Sequence, residues 1–378
     1  MCTESPRKPH LSLETTEEIA VGHGWISGLV AAVLGMAGLG AVLCLRFPDV
    51  FTVPALREHY PVAWIRAAVH VALVASFLLA TVSICLRANK MLGVSALVLT
   101  FVAAILGGGG ARGDAPSSSW AFGLDWFVLN LMLYSVIYIP LERLFAKHPE
   151  QPTFRKEWQV DLAYFFFNTL LIQVLTLFTM QPAMVFFDWA RVPEVAASVS
   201  RLPVWVQVPA CLLMADLTQY WVHRAFHTFP LLWRFHAIHH SAKAMDWLAG
   251  ARLHFVDVVV TRGLTYVPIY VLGFSQTTLA VYVVIVAAQA TFLHANVRWE
   301  FPLIRWFVAT PCYHHWHHAA EREAIDKNFS VHTPLWDWVF GTYYMPGRWP
   351  SKYGLCDQRE VPASWALQFI EPFRRKSP

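Results

Sequence analysis

The sequence predicts an all-α polytopic membrane protein, a helical bundle with a histidine-rich cytoplasmic metal cap, and three observations carry that prediction. Of its 378 residues, 56% are hydrophobic and only 14% are charged, whereas soluble chains carry about 25% charged residues. Apolar stretches of the length that a spanning helix needs recur along the chain. Twelve of the 17 histidines fall between His223 and His332.

About eight apolar segments are predicted to span the membrane, because their lengths suit helices rather than the shorter strands of a barrel. They are 25–46, 62–86, 91–110, 124–141, 160–180, 203–221, 256–273 and 276–293. Turn chemistry separates them, as in Phe47-Pro48-Asp49, the glycine run 107–110 and Gly273. The apolar stretch 299–309 is too short to span and predicts a helix in the membrane interface.

Loop charge predicts the orientation. The loop 142–158 holds Arg143, Lys147, Arg155 and Lys156, and the positive-inside tendency places such a loop in the cytoplasm. Counting spans from there places the N-terminus and every histidine cluster in the cytoplasm as well. The mild net charge of +4 includes no basic tract of the kind that nucleic-acid binders use, so no nucleic-acid partner is expected.

The histidines form three groups whose spacing suits metal binding. The first box is His223 and His227, spaced i and i+4, and the second and third boxes repeat an i, i+3, i+4 pattern. The second box is His236, His239 and His240, and the third is His314, His317 and His318. On a helix such spacings put the imidazoles on one face, and neutral imidazole is a ligand for iron, zinc, copper or nickel.

The number of histidines limits which kind of metal site the chain can form. One zinc ion takes three or four protein ligands, so eight imidazoles suit two ions better. A zinc-dependent membrane hydrolase would use an HExxH-type pairing, which this chain lacks. A metal transporter would carry its ligands within spans, whereas these lie at span ends.

Several motifs carry a resemblance to a known family. The run from Asp216, DLTQYWVHRAFHTFPLLWRFHAIHH, resembles the membrane fatty acid hydroxylase/sterol desaturase superfamily, as do FLHANVRW, TPCYHHWHH and NFSVHTPLWDWVFGTYY. The resemblance implies that the eight box histidines are metal ligands and that His294 is a further one. Two departures are His315, where relatives often carry Arg, and His254-Phe255-Val256-Asp257 in place of His-Pro-x-Glu. His254 is therefore only a possible metal ligand.

The resemblance further implies two non-haem irons, O₂ as co-substrate, electrons from a separate donor protein, and hydroxylation of a C–H bond in a lipid substrate. A lipid or sterol desaturase on the same scaffold is the alternative. The implied organisation is a cytoplasmic tail at 1–22, membrane spans of unassigned role at 23–120, linking spans at 121–204, a catalytic domain at 205–345 and a C-terminal cytoplasmic tail at 346–378.

Some neighbouring residues are expected to support the ligands. Asp216 and Tyr220 share a helix face with the first box, so Asp216 is expected to accept an imidazole N–H, or else to cap the span end. Arg252 and Asp257 flank His254 and are expected to orient it. Asn296 is expected to hold a metal-bound water, and His315 to alter the charge around the ligands. Asn328 and Asp337 are expected to shape a lid.

Overall fold

The computed structural model describes residues 23–59, 61–87, 89–111, 122–357 and 361–374, and all regular structure in these ranges is helical, without strands. The predicted tail 1–22 lies outside them. The helices are α1 Trp25–Arg46, α2 Pro48–Phe51, α3 Pro54–Arg57, α4 Val62–Leu86, α5 Met91–Ile105, α6 Leu124–Leu144, α7 Trp158–Leu170, α8 Ile172–Phe187, α9 Pro193–Arg201, α10 Val204–Thr228, α11 Pro230–His236, α12 Phe255–Leu272, α13 Gln276–His294, α14 Pro311–His317, α15 Leu335–Val339 and α16 Trp365–Ile370.

Six helices in the described ranges are long and apolar enough to cross a membrane: α1, α4, α5 with the turn that follows it, α6, α12 and α13. The helix pair α7 and α8, bent by 55°, would make a seventh span. The chain is therefore a multi-pass integral membrane protein, and the predicted count of eight spans is approximate. The predicted span at 203–221 lies in α10, which is not among these six helices because the polar Gln207, Asp216 and Gln219 lower its hydropathy. These buried side chains bind neighbouring segments.

The first three spans form one packed unit. Helix α1 packs along both α4 and α5, and the helices are joined by hydroxyl groups that donate to backbone oxygens. Ser83 Oγ donates to Gly24 O at 2.7 Å, and Ser76 Oγ donates to Ala31 O at 2.7 Å. Such bonds between spans satisfy polar atoms that lipid could not. This unit contributes no histidine to the groups described below.

Helices α12 and α13 form a hairpin that leaves the histidine-rich region and returns to it. Gly273 ends α12 with a left-handed φ of 73°, and a Cβ at this position would lie 2.5 Å from Ala196 Cβ in α9. Both the conformation and the close approach therefore require glycine. Because the hairpin returns to its starting side, His294, at the end of α13, lies beside histidines of the second and third boxes.

The loop after α6 lies on the same side of the protein as the histidines. The amides of Lys147 and His148 donate to Asn296 Oδ1 at 3.2 and 2.9 Å, and Gln151 Nε2 donates to Met245 O at 3.0 Å. This agrees with the expectation that loop and boxes share one face of the membrane. The cytoplasmic identity of that face stays a prediction from the loop charge.

Two predicted surface segments differ from expectation. The stretch 299–309 contains a 3₁₀ turn, Ile304–Trp306, instead of an interfacial helix, although Leu303 and Phe307 are exposed as an interface would require. The described part of the predicted C-terminal tail packs on the protein, since the Trp365 ring in α16 stacks 3.9 Å from that of Phe167.

A cysteine-labelling experiment tests this topology. In a background with Cys2 and the exposed Cys85 and Cys356 replaced by serine, we expect Lys243→Cys and Arg322→Cys to react with an impermeant maleimide from the cytoplasmic face only. Thr277→Cys, at the hairpin turn, is expected to react from the opposite face, because α12 and α13 are each long enough to cross the bilayer. Reaction of Lys243→Cys and Arg322→Cys from opposite faces would contradict a shared site.

Candidate metal centre

The structure brings nine predicted ligands together in two groups. The five-histidine group is His223, His227, His236, His240 and His317, and the four-histidine group is His239, His294, His314 and His318. Within each group, one ring nitrogen from every member lies within 4.8 Å of the others. The boxes are interleaved: the second box gives one residue to the four-histidine group, and the third box gives one to the five-histidine group.

Helix geometry explains the interleaving. His236 is the last residue of α11, and His240 lies in the 3₁₀ turn His239–Ser241 that follows; His239, in the same turn, belongs to the other group. In the third box, His314 and His318 share one direction at i and i+4, and His317 faces the other way. The second and third boxes thus contribute to both groups, whereas the first box belongs wholly to the five-histidine group. The groups lie next to each other, with the rings of His240 and His318 stacked at 4.5 Å.

Hydrogen bonds fix the tautomer of several ligands. Carbonyl oxygens can only accept, so an imidazole nitrogen in contact with one must carry the proton. His223 Nδ1 lies 2.7 Å from Phe329 O, His317 Nδ1 lies 2.8 Å from Lys327 O, and His239 Nδ1 lies 3.1 Å from Arg252 O. The Nε2 atoms of these rings therefore carry lone pairs that are available to a metal.

His236 and His294 follow the same rule. His236 Nδ1 donates to the Asp257 carboxylate at 2.6 Å, and His294 Nδ1 donates to Ala290 O at 2.8 Å. A Cβ at residue 250 would lie 2.8 Å from His294 Nδ1. Gly250 is therefore required for the His294 ring to take this position, a role that the sequence pattern did not reveal.

Contacts between unprotonated nitrogens show that the five-histidine group fits a cation. His223 Nε2 and His236 Nε2 lie 3.0 Å apart, yet both protons are held on the Nδ1 side, so no hydrogen lies between them. The same holds in the four-histidine group, where His239 Nε2 and His294 Nε2 are 3.3 Å apart. Neighbouring ligands at metal–nitrogen bonds of about 2.1 Å lie roughly 3.0–3.4 Å apart. Facing lone pairs at this distance repel unless a cation binds both.

Burial keeps the ligand rings neutral. It lowers the pKa of His239, His240, His314, His317 and His318 well below the usual 6.5, and the neighbouring imidazoles lower it further. Two ring nitrogens of the five-histidine group, His227 Nε2 and His317 Nε2, are buried without a hydrogen-bond partner in the protein. Buried polar atoms are normally satisfied, so these atoms also fit metal ligation.

One short segment, residues 326–329, orients three of the five ligands. Lys327 O and Phe329 O accept from His317 and His223 as described, and Asp326 Oδ1 lies 3.4 Å from His227 Nδ1. Asp326 and Asn328 both have left-handed φ, 56° and 57°. This segment was missed as a ligand-orienting element, because a carbonyl oxygen belongs to every residue and leaves no mark in the sequence.

Two buried side chains hold that segment. Asp337 accepts from the amides of Phe329 and Ser330, both at 2.8 Å. Asn328 Nδ2 donates to Tyr313 O and Tyr344 O at 2.9 and 2.8 Å. Asn328 and Asp337 thus shape the chain after the third box, as the sequence predicted, and neither lies among the ligand groups.

Asp216 and Asn296 have other partners than those predicted. Asp216 accepts three backbone amides, from Val331, His332 and Thr333 at 2.8–2.9 Å, and so it caps a loop rather than an imidazole. Asn296 bonds the backbone of the loop after α6 and does not face a ligand. Both corrections have one cause: loops distant in the chain supply backbone donors that satisfy these side chains first.

The predicted partners of His254 also differ. His254 belongs to neither group: its Nδ1 accepts from Val256 N at 3.1 Å and its Nε2 donates to Phe369 O at 3.0 Å. With both nitrogens engaged it caps α12 and has no lone pair for a metal. Asp257 orients His236 instead of His254, and Arg252 supports His239 through its carbonyl oxygen.

The side chain of Arg252 joins a buried ion-pair network that sequence reasoning missed. Arg252 and Arg155 both bind Asp161, the latter at 2.6 Å. Arg155 also binds Asp246 at 2.6 Å, and Arg252 binds Glu157 at 3.0 Å. The network ties α7 to the loop that follows the second box, and so anchors the carbonyl that orients His239.

Tyr220 and His315 belong to neither histidine group but contact residues that lie next to the groups. The Tyr220 hydroxyl contacts Thr342 Oγ1 at 2.9 Å and its ring packs on Phe329. His315 Nε2 donates to His294 O at 3.3 Å. Burial, together with the nearby His294, lowers the pKa of His315 to about 3, so His315 is neutral and adds no positive charge around the ligands.

Comparisons with known proteins agree with this site. The family model "Fatty acid hydroxylase" matches residues 208–342, a span that contains all nine histidines. An ornithine lipid hydroxylase of Rhizobium tropici is 26% identical over 267 residues, covering 66% of this chain and 78% of that protein. An alkylglycerol monooxygenase of Danio rerio is 27% identical over 158 residues, which is 42% of this chain and 35% of that protein.

A further relative is a very-long-chain aldehyde decarbonylase of Oryza sativa subsp. indica, 26% identical over 162 residues, or 38% of this chain and 26% of that protein. The chain thus spans only about a third or less of the monooxygenase and the decarbonylase, but most of the ornithine lipid hydroxylase. No solved structure matches the chain.

Proposed function

Since the chain belongs to the fatty acid hydroxylase/sterol desaturase superfamily, we propose that it hydroxylates a C–H bond of a membrane lipid, with O₂ as oxidant and two irons as its metals. The observation that carries this proposal is the pair of adjacent histidine groups, each with unprotonated Nε2 atoms facing one another. The names of the relatives, two oxygenases of lipids among them, support the reaction class.

In this proposal the two histidine groups bind the metals, and a second set of residues orients the imidazole rings. The five-histidine group would hold one ion and the four-histidine group the other, and the 326–329 segment, Asp257 and Arg252 O set the ring orientations. Bound iron would supply O₂ activation, in which one oxygen atom enters the C–H bond and the other leaves as water, consuming two electrons and two protons. A separate donor protein is proposed as the source of these electrons.

The number of nitrogen ligands favours two irons over a single zinc ion in this proposal. Nine imidazoles exceed the three or four ligands that one zinc ion takes, and among the described residues neither histidine group includes a glutamate that could act as a hydrolase base. Soluble di-iron bundles use glutamate and histidine together, so this all-histidine set is a different solution. Desaturation on the same scaffold remains the competing outcome for the product.

Metal analysis tests the proposal directly. We expect the purified full-length protein, loaded with ferrous iron without oxygen, to hold about two irons per chain, because each group offers four or five imidazoles. Under ¹⁸O₂ the lipid product should carry one labelled oxygen. One ion per chain with full activity in the zinc form would refute the di-iron proposal, and an unlabelled alkene product would establish desaturation instead.

A further inference from the structure

The last turn of α6 holds a half-buried acid, Glu142, that lies outside every histidine motif. Glu142 Oε1 accepts from the amide of Trp247 at 2.7 Å and from the amide of Asn296 at 3.0 Å. The two amides belong to segments that are far apart in the chain, the loop after the second box and the turn after α13. Glu142 also lies outside residues 208–342, the part of the chain that the family model matches.

The first of these segments orients His239. Residues 246–252 form consecutive turns, the last of which is closed by a bond from Arg252 N to Ala249 O at 3.1 Å. The turns end at Arg252 O, which accepts from His239 Nδ1 at 3.1 Å. A displacement of the Trp247 amide would therefore move the carbonyl oxygen that holds the His239 ring.

The second segment follows His294 directly, since Asn296 is only two residues further along the chain. Helix α6 also contacts α13 before His294: the hydroxyl of Tyr138, one turn before Glu142, donates to Ala288 O at 3.0 Å. Helix α6 thus binds the chain on both sides of His294. These two bonds fix the end of α13, from which the His294 ring reaches the four-histidine group.

Apolar packing surrounds these hydrogen bonds. The Tyr138 ring stacks on that of Trp247 at 6.3 Å, and the buried Ala295 belongs to the same hydrophobic cluster. Hydrogen bonds are stronger where the local dielectric is low. The far end of α6 is held as well, because Val53 N donates to the Asp125 carboxylate at 3.1 Å. Helix α6 is therefore a fixed support for the two segments that Glu142 joins.

Resting on the proposed function, we propose that Glu142 is a positioning residue for the metal of the four-histidine group. One carboxylate oxygen sets the spacing between the segments that orient His239 and His294. The Nε2 atoms of these two rings lie 3.3 Å apart, a separation at which one ion can bind both. The five-histidine group has its own supports, Asp257 and the 326–329 segment, so Glu142 acts on one metal only.

Metal titration tests the proposal without relying on turnover. The full-length protein in nanodiscs is titrated with ferrous iron in the absence of oxygen. We expect Glu142→Leu to weaken the binding of one iron about tenfold, because loss of a group that orients a ligand costs about 10–100-fold in metal affinity. Glu142→Gln keeps an acceptor oxygen and should stay within about twofold of the wild type. Glu150→Leu, at an exposed acid in the loop after α6, is the matched control.

Ligand variants identify which metal is affected. In His227→Ala the four-histidine group is intact, and adding Glu142→Leu should weaken the remaining iron about tenfold. In His314→Ala the five-histidine group is intact, and adding Glu142→Leu should change iron affinity by less than about twofold. A general loss of stability would weaken iron binding equally in both double variants, and that result would overturn the proposal.

A second variant serves if Glu142→Leu fails to insert in membranes. Tyr138→Phe retains the ring that stacks on Trp247 and loses only the bond to Ala288 O. It should weaken the iron of the four-histidine group about threefold, and unchanged affinity would contradict the role of α6.

A loss in Glu142→Gln as large as in Glu142→Leu would also overturn the proposal, because the acceptor oxygen would then not be the cause. Selective loss of one iron in Glu142→Leu, from a protein whose wild type oxygenates no lipid, would support the positioning role and refute only the proposed function.

Discussion

Replacing His317 or His239 by alanine is expected to abolish O₂-dependent turnover, by at least about a hundredfold, while the protein still inserts in membranes. Loss of an outer residue that merely orients a ligand costs about 10–100-fold, and these two residues are proposed as ligands themselves. His317 belongs to the five-histidine group and His239 to the four-histidine group, so the two variants test both groups. Turnover, iron per chain and membrane yield are measured together.

The matched controls are histidines outside both groups. His148 lies in the loop after α6, where its ring contacts the exposed Glu150, and the His59 ring lies 2.7 Å from Ala55 O. His59→Ala and His148→Ala should keep nearly full turnover and iron. Equal loss of activity in ligand and control variants would mean that the histidine groups serve the fold and not the chemistry.

Asp337→Ala is expected to remove one of the two metals without touching a ligand. The carboxylate accepts from two backbone amides and from the hydroxyls of Thr342 and Tyr313. Its loss leaves these buried donors unsatisfied, which lowers the free energy of unfolding by about 3–5 kcal/mol. The freed 326–329 segment would no longer orient His223 and His317. Iron should fall from about two to about one per chain, with a lower melting temperature.

The exposed Glu323, in the same stretch of chain, provides the comparison for Asp337. Glu323→Ala removes a carboxylate without a buried partner, so iron content and melting temperature should stay at wild-type values. If Asp337→Ala retained two irons while melting at a lower temperature, the segment would support the fold alone, and its three contacts with ligand rings would have no bearing on metal binding.

The clustering of the eight box histidines could be predicted from the sequence because helical spacing puts i, i+3 and i+4 side chains together, and that of His294 followed from the family resemblance. The division into two groups could not, since it depends on how α11, α13 and α14 meet in space. The predicted count of eight spans was approximate: α10 is not among the six helices of the described ranges that are apolar enough to cross a membrane, because the polar Gln207 and Asp216, which bind neighbouring segments, lower its hydropathy.

The residues that orient the ligands were the least predictable part. Asp257 pairs with His236 from 21 positions away, and Arg252 meets Asp161 across 91 positions. Nothing in the local pattern indicates such partners, because only tertiary packing brings them together. Backbone carbonyls, which hold His223, His239, His294 and His317, carry no residue-type signal at all.

The interleaved boxes have a consequence for biosynthesis. Four members of the five-histidine group precede residue 241, whereas His317 is made only after the α12–α13 hairpin has been translated. A nascent chain thus presents four imidazoles, the number that satisfies one zinc ion, before the complete site exists. Three of the four members of the other group come after residue 293. We therefore expect the order of synthesis to expose the first group to premature capture of zinc, and iron insertion to depend on timing as much as on affinity.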